Sequence, residues 1–294
     1  MRRARQLGAR RWTWSISCVA AGAMFVIFGT LTSLGQERAG IAMDKVALVG
    51  ASSARPSDTK TGANQSSIPL GTILPVILRT TLAPEKMKEG ETIRGEIAQD
   101  VPLPGGAKIR KGSKVEGHVV EVVAAGNGNN AKISIRFAKV YSHGQAIPVK
   151  TNLRALAGFM DVQDAGLPQQ APGEGDVHNW WTTTQVGGES VYGASGPVMS
   201  AEDASKVVGK SVNDGVLVQV RAKEGTKCRG AIDGNNDPQA LWVFSSDACG
   251  IYGISNVKIA HAGRTEPVGT IVLEMQGRNT KIRSAAGMLL RVTE

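Results

Sequence analysis

The chain has 294 residues, a length that allows one large domain or two small ones. Hydrophobic residues make up 41% and charged residues 20% of it, which excludes both a wholly disordered chain and a polytopic membrane protein. The 36 glycines and the low aromatic content of 4% favour short strands joined by many turns, with cores built from aliphatic side chains.

The net charge of +9 is concentrated at the N-terminus. Arg2, Arg3, Arg5, Arg10 and Arg11 precede the first acid, whereas Lys and Arg are scattered among Glu and Asp in the rest of the chain. No basic stripe interleaved with aromatic residues follows, so the sequence predicts no nucleic-acid partner. The arginine-rich end is typical of a targeting signal.

An uncharged segment from Trp12 to Gln36 follows these arginines. A membrane-spanning helix needs about 20 mostly apolar residues, and residues 13–34 offer them. A cleaved signal peptide needs a basic start, an apolar stretch and small residues before the cut, and residues 33–35 offer those. Under either interpretation residues 1–38 target or anchor the chain, and the remainder lies in the periplasm or cell envelope. Residues 39–67 are expected to form a flexible tether because they contain little to bury.

Residues 68–153 alternate short apolar runs with turn residues. This pattern predicts six or seven antiparallel strands, enough for a small β-barrel or sandwich. Pro75 lies inside the first run and indicates an edge strand or a bulge, which would offer a docking edge to a partner. Five of them are expected at residues 72–78, 92–98, 114–123, 132–141 and 146–150, with residues 107–113 leading into the third.

Short glycine-containing motifs in this region resemble those of a known family. They stand at residues 68–73, 88–91, 106–117 and 137–147, and the third contains Lys111, Gly112 and Ser113 at a strand entry. Together with the basic start, the apolar segment and the tether, they are similar to the β-barrel domain of TrbI/VirB10-type proteins, although Arg110 replaces the usual proline. The resemblance implies an envelope scaffold component of conjugation and type IV secretion machines. That family's barrel carries paired helices that reach the outer membrane, and the sequence shows no apolar helical pair of that kind.

Residues 154–210 are interpreted as a linker with one short helix. The helix is expected over residues 199–208, with Ser200 as its N-cap and Gly209 at its end. Trp180 and Trp181 interrupt the linker. Such a pair can form a platform for a sugar ring or a plug over the edge of a core, and the plug is the favoured interpretation.

Residues 211–294 again contain about six strand-like runs, and the linker before them favours a second β-rich domain over completion of the first. Two of the three cysteines, Cys228 and Cys249, lie here. In an exported domain they are expected to form a disulfide, which would stabilise the fold by about 3 kcal/mol. A catalytic thiol paired with His261 is the alternative.

The search for catalytic chemistry yields one cluster. The four histidines stand apart from one another and from cysteine, so neither a metal site nor a cofactor is predicted. Ser246, Asp247 and His261 could form a hydrolytic grouping; the favoured interpretation is a disulfide-pinned loop in which Asp247 caps a turn and Arg264 pairs with a carboxylate. The predicted ligand or partner surface comprises Trp180, Trp181, Tyr252, His261 and Arg264.

The sequence thus predicts a mainly β protein with an N-terminal signal or anchor helix, a small antiparallel barrel or sandwich, a linker with a short helix and a second β-rich unit. Its expected role is that of an exported, non-catalytic scaffold or interaction component. Envelope proteins are the expected partners, an oligomer is compatible with this role, and an uncleaved N-terminal segment would contact the membrane. The alternatives are a ligand- or glycan-binding module built on Trp180 and Trp181 and, more remotely, a hydrolase.

Overall fold

The computed structural model of the protein describes residues 67–126, 128–168, 182–221, 235–277 and 279–294. The predictions for the targeting segment, most of the tether, Trp180, Trp181 and Cys228 fall outside these residues. Within the described ranges, no helix is both long enough and apolar enough to cross a membrane.

The described residues form mainly strands. In chain order these are β1 (Ile73–Leu78), β2 (Thr92–Ile97), β3 (Val101–Pro102), β4 (Lys108–Ile109), β5 (Lys114–Val123), β6 (Ala131–Ser142), β7 (Gln145–Pro148), β8 (Thr151–Ala157), β9 (Thr182–Thr184), β10 (Ser190–Tyr192), β11 (Pro197–Met199), β12 (Val207–Val212), β13 (Gly215–Val218), β14 (Gln239–Ala240), β15 (Gly250–Tyr252), β16 (Val257–His261), β17 (Ile271–Met275) and β18 (Gly287–Val292). The helix α1 (Phe159–Ala165) follows β8, and a short 3-10 turn at Pro104–Gly106 separates β3 from β4.

Ten strands form one sheet that curls into a nearly closed barrel. Its order is β15-β8-β18-β1-β2-β5-β6-β17-β16, with β7 paired to β6 beside this path. Neighbouring strands are antiparallel except β15, which runs parallel to β8. The Leu153 amide of β8 donates to the Ala262 carbonyl just beyond β16 at 3.0 Å, so the two ends of the sheet meet. The predicted mainly β fold with a barrel-like sheet is confirmed.

The barrel is filled by aliphatic side chains and one phenylalanine. Leu74, Ile93, Ile135, Phe137 and Leu290 belong to its core, and each is fully buried. In β2 and β5 buried residues alternate with exposed or half-exposed ones over most of the strand, because one face of these strands packs inside the barrel and the other meets solvent. The alternation that predicted these strands therefore has a direct physical origin.

A second, six-stranded antiparallel sheet is formed by the chain between β8 and β15. Its order is β14-β13-β12-β11-β10-β9, and it packs against the outer side of the barrel. The shared core includes Ile73, Ala155 and Leu289 from the barrel with Val198 and Phe244 from the second region. Because both faces are covered, β8 and β18 are buried along their whole length.

The structure corrects the predicted boundary between two β-domains. Strands β15, β16, β17 and β18 of the predicted second domain complete the barrel, and β13 and β14 join a sheet with β9–β12 of the predicted linker. Residue Ile271 lies opposite Ile135, and Leu290 lies opposite both Leu74 and Leu153. The C-terminal strands thus supply hydrogen-bonding neighbours for β1 and β6. They complete the first domain, whereas the linker before them had favoured a second domain.

The helix predicted over residues 199–208 is also wrong. Ser200 Oγ accepts from the Glu202 amide at 3.2 Å, and Asp203 Oδ1 accepts from the Ser205 amide at 3.0 Å. These local bonds satisfy the backbone in turns rather than in a helix, and the β-branched pair at 207–208 then starts β12. The short helix lies earlier in the same stretch, at Phe159–Ala165.

Pro75 does not mark an edge, because β1 lies between β18 and β2. The Pro75 carbonyl accepts from the Ala98 amide at 2.8 Å, just past the last residue of β2. On the same side of β1, the Ile73 amide donates to Gln239 Oε1 at 3.1 Å. Pro75 therefore lies between these two hydrogen bonds, at a position where the strand needs no backbone N–H donor.

Candidate functional site

The described members of the predicted surface lie near the line where the barrel closes. Tyr252 ends β15, His261 ends β16, and Arg264 follows in the loop to β17. Charge interactions link Tyr252, Arg264 and Arg291 of β18 to Arg154 of β8. We call Arg154, Arg221, Arg264 and Arg291 the arginine cluster.

Arg154 owes its position to a β-bulge. Leu153 pairs with Leu290 and Ala155 pairs with Leu289, so Arg154 is the extra residue on β8. A bulge turns a side chain out of the regular alternation of a strand. Here Arg154 is only 2% exposed, and its Nη2 donates to the Arg221 carbonyl at 2.6 Å and the Ser246 carbonyl at 3.3 Å.

Two further arginines lie close enough to the Arg154 guanidinium to affect its pKa. Burial lowers the pKa of Arg154 to about 10, and the nearby Arg291 and Arg264 act in the same direction. Asp247 and Tyr252 oppose the shift because their charged forms attract the guanidinium. Arg154 therefore stays protonated at neutral pH although it is buried.

A buried carboxylate joins the cluster to the second sheet. Glu189 is 1% exposed, and its oxygens accept from the Ser246 amide at 2.9 Å and from Arg221 Nη2 at 2.9 Å. The Ser246 hydroxyl contacts the same carboxylate and accepts from Arg221 Nε at 2.8 Å. Because Glu189 and Arg221 each form charge-assisted hydrogen bonds, the arrangement fixes the chain after β13 to the loops before β10 and after β14.

The hydrolytic grouping considered from the sequence is not assembled. The Ser246 hydroxyl is buried and engaged with Glu189 and Arg221. His261 Nε2 lies 3.4 Å from the Pro267 carbonyl, and its Nδ1 lies 3.5 Å from Thr265 Oγ1. No hydrogen bond among the described residues joins His261 to Ser246 or Asp247, so the proton relay that such chemistry needs is not formed.

Tyr252 has a structural role in the turn before β15. Its hydroxyl accepts from the Cys249 amide at 3.0 Å, and its carbonyl accepts from the Gly158 amide at 3.0 Å. Cys249 is disulfide-bonded. Since Cys228 lies outside the described residues, its pairing with Cys249 stays a prediction.

Three buried glutamines, which the sequence analysis did not single out, hold this region together: Gln99 and Gln239 connect the two sheets, and Gln185 ties the β9–β10 loop to the segment after β14. Gln99 Oε1 accepts from the amides of Val216 and Trp242 at 3.2 and 2.7 Å, and its Nε2 donates to the Val216 carbonyl at 2.8 Å. Gln239 holds the Ile73 amide, and Gln185 Nε2 donates to the Phe244 carbonyl at 2.9 Å. The available signal was an uncharged polar residue beside an apolar run, which also occurs at many exposed positions.

The described part of the chain contains no group of three or more His, Cys, Asp or Glu side chains arranged to hold a metal ion. Comparison of the whole chain with known protein families, with curated proteins and with solved structures finds no match in any of the three. The geometry of the site is that of a polar connection between two sheets.

Proposed function

We propose that the protein is an exported component of the cell envelope that acts as a non-catalytic scaffold for protein–protein interaction. The observation that carries the proposal is the use of buried polar groups to fix one sheet on the other. Gln99, Arg154, Glu189 and Ser246 all direct polar atoms to backbone groups or side chains of another element. Such a body presents fixed surfaces to partners.

Export is supported by features outside the sheets. Five arginines followed by the uncharged segment from Trp12 to Gln36 are typical of a signal or anchor. A disulfide-bonded Cys249 suits an oxidising compartment such as the periplasm. The resemblance of residues 68–153 to the TrbI/VirB10-type barrel adds the proposal that the assembly is of the secretion or conjugation type.

The uncovered side of the barrel is where we expect partners to bind. The second sheet covers β1, β8 and β18, whereas β2 and β5 keep exposed residues on their outer face. Val120 and Val123 on β5 are 37% and 39% exposed. The Pro75 strand, which the sequence suggested as a docking edge, is paired on both sides and is not proposed again.

Cross-linking in the native envelope tests the proposal. The tagged full chain is cross-linked, purified in mild detergent, and analysed for partners and intact mass. We expect envelope proteins in fixed stoichiometry with the chain. Recovery of a lone chain would contradict the scaffold role.

A matched variant separates the scaffold from the glycan-binding alternative, which depends on Trp180 and Trp181 outside the described residues. Trp180→Ala/Trp181→Ala is expected to leave the set of cross-linked partners unchanged, provided that it unfolds at the same denaturant concentration as the wild type. A glycan-binding module would instead retain ligand on a glycan array and lose it in this variant, and that result would favour the alternative.

A further inference from the structure

A pocket of about 320 Å³ lies at one end of the barrel, between the β1–β2 loop and the β17–β18 loop. This volume falls in the range of sites that bind small molecules. Ala83 and Met87 contribute apolar wall from the first loop, and Met87 is 8% exposed. The proposed scaffold role makes no use of this pocket.

The walls of the pocket are held in place by hydrogen bonds between the two loops. Leu82 and Ile282 are fully buried and exchange backbone hydrogen bonds, each of 2.9 Å. The Asn279 amide also donates to Glu85 Oε1 at 3.0 Å. The pocket is therefore formed before any ligand arrives, which lowers the ordering cost of binding.

The charged residues that line the pocket are used in different ways. Glu85 accepts from the Asn279 amide and Glu91 accepts from the Lys88 amide at 3.1 Å, so one oxygen of each carboxylate is committed to a loop. Lys86 and Lys281 line the pocket from opposite loops, and neither forms an ion pair within the described ranges. Two ammonium groups thus remain for a ligand.

We propose that this pocket binds a small organic anion, with its carboxylate, phosphate or sulfonate group between Lys86 and Lys281 and its apolar body against Met87. The anionic group would gain two ammonium partners, and because both lysines are exposed this attraction would be screened by salt. The apolar body would remove the exposed part of the Met87 and Ala83 walls from solvent.

The test uses the full-length protein in mild detergent, labelled with ¹³C at the methionine methyl groups. Benzoate is the anionic probe, benzamide its neutral isostere and benzylamine its cationic counterpart. The Met87 signal is assigned from its loss in Met87→Leu. We expect benzoate to shift this signal saturably, with benzamide and benzylamine at least about tenfold weaker and with weaker benzoate binding at high salt.

Lysine variants locate the anion. Lys86→Ala/Lys281→Ala is expected to weaken benzoate binding at least about fivefold, whereas the control Lys210→Ala/Lys258→Ala, which removes two exposed lysines elsewhere, leaves it unchanged. An unmoved Met87 signal, an unsaturable shift, equal binding of benzamide or benzylamine, or full binding by the Lys86/Lys281 variant would each overturn the proposal. None of these results bears on the scaffold role, which the cross-linking experiment tests separately.

Discussion

Replacement of Gln99 by alanine should weaken the packing of the second sheet on the barrel. It should lower the free energy of unfolding more than the replacement of an exposed glutamine does. The side chain is fully buried and makes three hydrogen bonds, two to Val216 and one to the Trp242 amide. Alanine would leave the N–H groups of Val216 and Trp242 without the acceptor they use, whereas the Val216 carbonyl would keep the Leu241 amide at 3.2 Å. Water would have to enter the junction to satisfy them.

The magnitude follows from those three bonds. Each intramolecular hydrogen bond contributes about 1 kcal/mol net, and a buried polar group left without a partner costs about 1–3 kcal/mol. Removal of the remaining side-chain volume leaves a cavity with its own penalty. We therefore expect Gln99→Ala to lower the free energy of unfolding by about 3–5 kcal/mol, which is a large part of the stability of an ordinary domain.

Denaturant unfolding monitored by tryptophan fluorescence measures this change, because Trp242 is one of the residues that Gln99 holds. Gln145→Ala is the matched control, since Gln145 is an exposed glutamine in β7. The control should unfold within about 0.5 kcal/mol of the wild type. Equal stability of Gln99→Ala and Gln145→Ala would refute the idea that this glutamine braces the two sheets.

Three further changes test the packing, the brace and the electrostatics of the fold. Gly117→Ala should destabilise by more than about 2 kcal/mol in thermal unfolding, because its Cβ would overlap backbone of the opposite strand, whereas Gly126→Ala meets open space. Ser246→Ala should cost about 1–3 kcal/mol by removing the hydroxyl that contacts both members of the Arg221–Glu189 ion pair, of which Glu189 is buried. Ser195→Ala in an exposed turn should cost almost nothing in the same assay. Hydrogen bonds from the Lys108 side chain and the Lys111 backbone lower the pKa of Asp100. The wild type should therefore have a higher free energy of unfolding than Asp100→Asn above about pH 5, and this difference should disappear as the pH falls through the lowered pKa. A pH-independent difference between these two proteins would contradict that assignment.

Local alternation predicted the strands that have one face in solvent. In β2 the buried residues alternate with exposed ones, and in β5 they do so over much of the strand, which is the pattern that sequence inspection detects. For the C-terminal strands the prediction of position succeeded and the prediction of pairing failed. Their partners lie far away in the chain. The pairing of Leu74 with Leu290 spans most of the described residues, and no local pattern encodes it.

The candidate site was predictable only in part for the same reason. Tyr252 and Arg264 stood out as polar residues near Cys249, and charge interactions do link both to Arg154. Arg154 itself lies in an apolar strand and was assigned to the start of a linker, although a charged residue in such a run was a usable signal. Gln99 had no comparable signal, since its role depends on backbone groups more than 100 residues away.

The side of the inner membrane on which the β-body lies decides whether the protein is an exported envelope component. A site for a specific protease is inserted in the tether, within residues 39–67, and the protease is added to intact spheroplasts with lysed spheroplasts as control. If the β-body is exported, an uncleaved anchor gives cleavage in intact spheroplasts, and a cleaved signal gives release of the chain with the periplasmic fraction. A chain that stays with the spheroplasts and is cut only after lysis would contradict export and the envelope scaffold with it.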